Sequence, residues 1–444
     1  MPYAGSMRTV VLFTRDLRVH DHPALTEAVR TSDDVVPLFV VDPVLLEASP
    51  NRARFLFEGL IALDRSLAQR GGRVVVRHGD VAAGAISLAV ESKADRVFVT
   101  ADATAIARRR EAALMQGLAE RGIELRTLGG NAVVEPGDLA PAGRDAYVVF
   151  TPYFRAWSVA PKRSVLPAPD QIAVPERVRS DPLPDPRSVA VEALDLPAGG
   201  ERHGRLRLGM FLGGFAASYG EVRDDMAADA TSRLSPYLRF GFVSANEVAQ
   251  RAAAVAGTEG FVRQLAWRDF FGQLLWHDPR LAWSDLRPGP EVETSTIDPV
   301  HALKIWEEGL TGLPLVDAAM RQLRREGWIH NRARMVAASF LTRRLGVPWQ
   351  EGARHFMRHL VDGDPANNSG GWQWVAGTGI DPRRSRSFNP VRQARRFDPN
   401  GDYVRRYVRE LADVPTPLLF APWKDRALLQ LRGYPEPVIP VPEG

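Results

Sequence analysis

The residues best equipped for chemistry crowd into one stretch, Trp328 to Trp374, which reads WIHNRARMVAASFLTRRLGVPWQEGARHFMRHLVDGDPANNSGGWQW. Asn331, Arg334, Met335 and Ala338 follow the i, i+3, i+4, i+7 spacing of one helix face, so an amide and a guanidinium would look inward beside apolar neighbours. A buried guanidinium needs an anionic partner, because an unpaired buried charge costs several kcal/mol. Asp362 and Asp364 of DGD are the nearest candidates. Such a pair is equally consistent with a structural ion pair at a helix junction. The run Asn367, Asn368, Ser369, Gly370, Gly371, Trp372, Gln373, Trp374 adds amides, glycines that let a ligand approach the backbone, and indoles that stack on flat rings. Together these residue types point to a large, flat, polar ligand.

Composition narrows the chemistry. The 444 residues suggest two or three domains, and 45% hydrophobic with 25% charged residues is ordinary for a soluble globular protein. No apolar run approaches the roughly 18 residues of a membrane span, and MPYAGSMRTVV lacks a signal-peptide core. A cytoplasmic location without membrane partners is expected, with Met7 a candidate start. The absence of cysteine excludes disulfides, a thiolate nucleophile and cysteine-ligated iron–sulfur clusters. Nine histidines show no HExxH or comparable spacing, so no metal is expected. Net charge is only +4, yet arginines concentrate between Arg383 and Arg409 and alternate with Phe388, Phe397, Tyr403 and Tyr407. A phosphate backbone would suit that pattern, as would a merely solvated face.

Two kinds of sequence must position these groups. TVVLFT from Thr9, VVPLFVVD from Val35, RVVVRHG from Arg73, ADRVFVTAD from Ala94 and ELRTL from Glu124 are short β-branched runs, with helical patterns at about 22–30, 52–69, 81–91 and 104–121 between them. This alternation predicts a doubly wound parallel α/β sheet over residues 1–130. Neither GxGxxG nor GxxxxGK[ST] occurs, so no dinucleotide fingerprint or P-loop is supported. Residues 131–205, including VLPAPDQIAVPERVRSDPLPDP, read as a long connector. Residues 206–444 are nearly all helical, which makes the fold class α/β followed by all-α. Within them, Ser235 and Pro236 read as N-cap and N1. Thr231, Ser232, Arg233, Leu234 and Ser235 then form a hydroxyl-rich helix entry that could hold a diphosphate or could be only a cap. RQLAWRDFFGQLLW sets Gln264, Trp267 and Arg268 within one turn of an otherwise apolar helix.

WIHNRARM, DGDPANNSGGWQW and FNPVRQARRFDPNGDYVRRYV, with FTRDLRVHDHPAL at the amino end, resemble the photolyase and cryptochrome flavoproteins, nearest the class I photolyases that repair cyclobutane pyrimidine dimers. The resemblance covers nearly the whole chain apart from the connector. It implies an antenna-bearing amino-terminal domain, a helical domain holding FAD, and light-driven repair of ultraviolet-damaged DNA. TSRLS matches the family's flavin diphosphate loop and Tyr219 an upstream FAD contact. Arg334, Asp362 and Asp364 match groups around the isoalloxazine, and Asn368 the residue facing flavin N5. Trp267 and Trp374 would bracket a flipped-out lesion, with Gln264, Asn331 and Met335 touching it. Trp372 and Trp349 match the inner members of the tryptophan chain that photoreduces the flavin. Arg268, Arg332, Arg386, Gln393 and Arg396 are the implied DNA contacts. LFVVDP followed by PNRARFL is similar to members that bind 8-hydroxy-5-deazaflavin, which would place Phe39, Asp42, Arg52 and Asp102 near that antenna. Ala107 stands where folate-binding members carry glutamate, so methenyltetrahydrofolate is the less favoured antenna. A monomer is expected.

The chain departs from the dimer-repair pattern at several points. Gln264 replaces the usual glutamate; it can hydrogen-bond thymine edges but brings no charge. Glutamine here also occurs in relatives that repair (6-4) photoproducts, yet the histidine those carry at the start of the later helix is Asn331. The outer tryptophan should fall near Ser295 or Thr296, where there is no indole; Trp283 is the nearest one preceding them in sequence. PRRSRSFNP replaces an aromatic-containing approach, which affects expected contacts at Arg383 and Arg384. A cryptochrome-type light sensor is the alternative function. The short tail after PWKDRALL favours repair over a sensor with an extension. A nucleotide-binding α/β domain joined to an unrelated bundle would not explain TSRLS and DGDPANNSGGWQW together.

Overall fold

A computed structural model describes residues 6–290, 297–380 and 387–441. The five β-branched runs are strands β1 (Arg8–Phe13), β2 (Asp34–Val41), β3 (Val75–His78), β4 (Arg96–Thr100) and β5 (Glu124–Leu128). All pairings are parallel, in the order β3-β2-β1-β4-β5, with Val10 opposite both Val36 and Val97. Consecutive residues Val10, Val11 and Leu12 are fully buried, so both sheet faces are covered, as a parallel sheet requires. Helices Pro23–Thr31, Pro50–Ala68, Val81–Glu91 and Ala105–Ala119 occupy the four expected places. Each opens on a side-chain cap: His22, Ser49, Asp80 and Thr104 accept the N–H groups of Leu25, Arg52, Ala83 and Ala107.

The molecule divides into two compact units. The first comprises residues 1–190, 197–217 and 232–279, the second 191–196, 218–231 and 280–444. These limits differ from the changes of pattern at 130 and 205, because the proline-rich connector is fastened to the sheet instead of hanging free. Val35 N–H donates to Ala173 O at 2.8 Å, Asp181 N–H to Val76 O at 3.0 Å, and Val76 N–H to Ser180 Oγ at 2.9 Å. Helices Glu201–Gly213, Ser235–Arg239, Ala245–Ala253 and Glu259–His277 also belong to the first unit.

In the second unit, helices Pro299–Glu308, Pro314–Glu326, Asn331–Arg343, Trp349–His359 and Pro365–Ala376 enclose a core that includes Trp306, Met320, Phe340, Phe356 and Trp372. A Cβ at Gly352 would lie 2.2 Å from the Trp372 ring, so only glycine admits the indole there. Gln373, fully buried, donates its amide to Leu281 O and Ser284 O, each at 2.9 Å. Among the described residues, no helix is long and apolar enough to cross a membrane, and no group of three or more His, Cys, Asp or Glu could hold a metal ion.

Candidate functional site

The second unit holds the residues around which the sequence is organised. Of the two candidate acids, Asp362 is the partner of Arg334: Nη2 lies 2.8 Å from Oδ2, and Arg334 Nε donates to Ile329 O at 2.9 Å. Asp364 does a different job. As N-cap of helix Pro365–Ala376, its Oδ1 accepts from the backbone N–H of Asn367 at 2.9 Å and from the Asn367 side chain at 2.8 Å. The expected inward face of helix Asn331–Arg343 is only partly covered. Asn331 is exposed, Arg334 and Met335 are half-buried, and Ala338 is buried. The Asn331 amide reaches the Met335 sulfur at 3.6 Å. Helix Pro365–Ala376 is likewise one-sided: Asn367, Asn368, Gly371 and Trp374 are half-buried, while Ser369, Gly370, Trp372 and Gln373 are buried. Asn368 donates to Ala353 O at 2.9 Å, which fixes its amide.

Tyr219 is buried in the short helix Tyr219–Val222, and burial pushes its hydroxyl up to about 12. His330 is the N-cap of helix Asn331–Arg343, accepting from Arg332 N at 3.1 Å, and burial lowers its pKa to about 4, so the imidazole is neutral. Two surface cavities of about 590 and 530 Å³ in this unit are lined by residues such as Glu307, Arg321, Arg324 and His355, and hold none of the site residues above.

In the first unit the entry loop differs from expectation by one position. Leu234 is the N-cap of helix Ser235–Arg239 and brings no side-chain cap bond, while Ser235 is already helical; Ser232 Oγ instead accepts Leu234 N–H at 3.3 Å. Arg233 has φ +47°, a left-handed conformation that costs energy for a non-glycine residue and is common at functional loops. Gln264 and Trp267 are half-buried on helix Glu259–His277. The Gln264 amide donates back to Gly260 O at 3.3 Å. Trp267 stacks on Phe150, with centroids 3.7 Å apart and planes 7° apart. In the second unit Trp374 has a looser phenylalanine neighbour, Phe388, at 6.4 Å and 26°. The sequence pointed to both indoles, and to Phe388 only as one of the aromatics among the arginines; Phe150 was not legible as a partner because it lies 117 residues from Trp267 along the chain.

Two family models match the chain: "DNA photolyase" over residues 9–171 and "FAD binding domain of DNA photolyase" over residues 261–443. A deoxyribodipyrimidine photo-lyase of Streptomyces griseus is 50% identical over 447 residues, covering 98% of this chain and 96% of the relative. The chain belongs to the photolyase and cryptochrome family. Its fold is similar to a bacterial class III photolyase from Agrobacterium tumefaciens, at 31% identity and TM-score 0.88 over 99% of this chain and 96% of that one. It is also similar to an archaeal photolyase from Sulfolobus tokodaii described with two FAD molecules, at 30% identity and TM-score 0.85 over 98% of this chain and 97% of that one.

The second unit of this photolyase-family chain contains a buried acid that is only partly satisfied. Asp362 is buried, yet its Oδ1 has no hydrogen-bond partner among the described residues, which is costly unless a further donor supplies one. A Cβ added at Gly371 would meet nothing within 4 Å, so the uncovered helix face has open space beside it. The antenna candidates look different. Asp102 accepts from Arg15 Nη1 at 3.2 Å and from Thr104 N–H at 2.8 Å, Asp42 caps Val44 N–H at 3.0 Å, and Phe39 is buried in β2. None of Phe39, Asp42, Arg52 and Asp102 presents a buried polar atom without a partner.

The DNA candidates separate into two sets. Arg268 turns inward in the first unit, donating to Asn131 O at 2.8 Å. Arg332 turns inward in the second, paired with Asp224 at 2.8 Å and lying 4.3 Å over the Phe397 ring. Each guanidinium therefore has a partner within its own unit, although Arg332 Nε has none among the described residues. On helix Pro390–Phe397, Arg392, Arg395 and Arg396 are exposed on one face, and Gln393 is half-buried with its Oε1 lacking a partner. Arg383, Arg384 and Arg386, and the expected outer-tryptophan positions Ser295 and Thr296, lie outside the described residues.

Proposed function

We propose that this protein splits cyclobutane pyrimidine dimers in ultraviolet-damaged DNA in a light-driven reaction dependent on reduced FAD. The observation that carries this reading is the 50% identity, across nearly the full length of both chains, to the Streptomyces griseus deoxyribodipyrimidine photo-lyase. The light-driven one-electron chemistry that opens the cyclobutane ring would come from reduced FAD when bound. The chain's own residues bind and orient. Asp362, with one oxygen committed to Arg334 and the other uncommitted, accepts from the ring's polar edge. Asn368 presents a neutral amide toward the ring, and Asp364 supports it by fixing the start of its helix. Thr231 to Ser235, with Tyr219, serve the diphosphate end. Trp267 and Trp374 bracket the extruded dimer, and Gln264, Asn331 and Met335 contact it. Phe150, stacked on Trp267, holds that indole in place.

Residues 1–130 form the antenna domain, 131–205 the connector and 206–444 the FAD and DNA domain. Phosphate contacts fall to the exposed arginines of helix Pro390–Phe397, with Arg386. The antenna is 8-hydroxy-5-deazaflavin, held near Phe39, Asp42, Arg52 and Asp102. The protein acts as a cytoplasmic monomer. Denaturing the purified protein should release one FAD and one deazaflavin per chain; release of two FAD would replace the antenna reading. The decisive experiment illuminates the pre-reduced protein with oligonucleotides carrying either a cyclobutane dimer or a (6-4) photoproduct. Loss of the dimer is expected. Loss of the (6-4) photoproduct alone would reassign the lesion, and loss of neither would favour the sensor function.

A further inference from the structure

Trp372 and Trp349 are both about 3% exposed within the second unit, but their surroundings differ. Trp372 lies in the apolar core, with Phe356 and Trp306 edge-on at centroid distances of 5.0 and 6.0 Å. The indole N–H of Trp349 instead donates to Asp285 Oδ1 at 2.6 Å, a short charge-assisted hydrogen bond. Asp285 is an exposed residue on a segment that the core holds firmly. Gln373 accepts from Leu286 N–H at 3.1 Å while donating to Leu281 O and Ser284 O, and Ser369 Oγ donates to Ala282 O at 3.1 Å. The buried indole thus reaches solvent through one carboxylate.

On the reading, implied by the family resemblance, that Trp372 and Trp349 carry electrons toward the flavin, we propose that Trp349 and Asp285 form the end of that chain, with Asp285 taking the indole proton as Trp349 is oxidised. One electron leaves Trp349 to refill oxidised Trp372. The Nε1–H bond breaks, and its proton forms an O–H bond on Asp285. The hole then rests on Trp349 as a neutral radical. Loss of the proton removes the positive charge that would otherwise pull the electron back, so the separated state persists without a third indole near Ser295 or Thr296. An external thiol closes the cycle: it gives one electron to Trp349, Asp285 returns the proton to Nε1, and the thiol releases its own proton to water and becomes a thiyl radical. Exposed Trp283, two residues from Asp285, is the competing terminus.

The test uses full-length protein with bound FAD in its oxidised state, and the variants Asp285→Asn, Asp285→Glu and Trp283→Phe. In the dark, the Trp349 indole N–H resonance should lie far downfield in the parent and in Asp285→Glu, and move upfield in Asp285→Asn. After a laser flash, the parent should show a deprotonated tryptophan radical. In Asp285→Asn the radical should stay cationic and its lifetime fall at least tenfold, with recovery in Asp285→Glu and no change in Trp283→Phe. Dimer repair by chemically pre-reduced Asp285→Asn should match the parent, which separates a failure here from a failure of the repair function. The proposal is overturned if Asp285→Asn leaves the radical's form and lifetime unchanged, or if Trp283→Phe abolishes the long-lived radical.

Discussion

The side chains of Asp16, Asp21 and Asp102 in the first unit and of Asp362 in the second are similarly well buried, yet they are finished to different degrees. Asp16 Oδ1 accepts Thr14 N–H at 2.6 Å, and Oδ2 faces Thr100 Oγ1 at 2.6 Å and His22 Nε2 at 3.1 Å. Burial alone would raise its pKa, but His22 and these donors overcome that and hold it at about 2. Asp21 is enclosed by Arg163, Ser244, Asn246 and Leu166 N–H. Asp102 is held below the usual carboxylate range against burial by Arg15 and Thr104 N–H. These acids, with buried Arg18 on the carbonyls of Asp21, Gly130 and Gly241, tie the FTRDLRVHDHP motif into the first unit. Asp362 has one oxygen satisfied and one not. A saturated cluster maintains structure, whereas a half-saturated buried acid keeps an acceptor free for a further donor.

The sharpest way to break this contrast is to truncate both kinds of acid. Asp362→Ala should lose bound FAD on gel filtration and about 3 kcal/mol of stability, because Arg334, 26% exposed, is left without its anion. Asp102→Ala should lose stability while keeping FAD. Full flavin retention by Asp362→Ala would remove the distinction.

Acid should sharpen it next. Asp16 has a folded pKa of about 2, below its unfolded value, so its contribution is present above pH ~4 and is lost as pH falls toward 2. That contribution is about 2 kcal/mol, and Asp16→Asn should abolish this part of the urea-unfolding profile. His330 acts in the same direction but at higher pH. Its folded pKa of about 4 lies below the unfolded value, so protonation of the unfolded chain costs stability as pH falls from 6.5 to 4. The second unit should therefore loosen at a higher pH than the first, as hydrogen exchange of each would report.

Smaller effects follow. Asp364→Ala should cost about 1 kcal/mol through the lost helix cap and release FAD more readily than Arg395→Ala, which alters an exposed residue. Gln264→Glu should raise dimer repair per absorbed photon in a single-turnover assay with pre-reduced protein, with little change in damaged-DNA affinity. A carboxyl group there acts when charge develops on the lesion. No gain would show that the amide suffices. Reversing Arg395 and Arg396 to glutamate should flatten the log–log salt dependence of DNA binding by roughly 0.9 per lost contact; an unchanged slope would move the DNA face elsewhere.

The sequence by itself determined the parallel sheet, because β-branched runs alternating with helical periods leave a doubly wound sheet as the economical packing. It also determined that Arg334 must have an acid near it. Which acid serves Arg334 was decided only in three dimensions. Asp364 precedes Pro365 and is consumed as a helix cap, which leaves Asp362. Trp372 and Trp374, two residues apart, lie on opposite sides of one helix, one in the core and one on the open face. Arg268 and Arg332 looked like DNA contacts because a long guanidinium stem can turn either way. Only the positions of Asn131 O and Asp224, far off in sequence, turn them inward. The Asp285 bond to Trp349 was hidden for the same reason: 64 residues separate the pair, and no local spacing rule reaches across that distance.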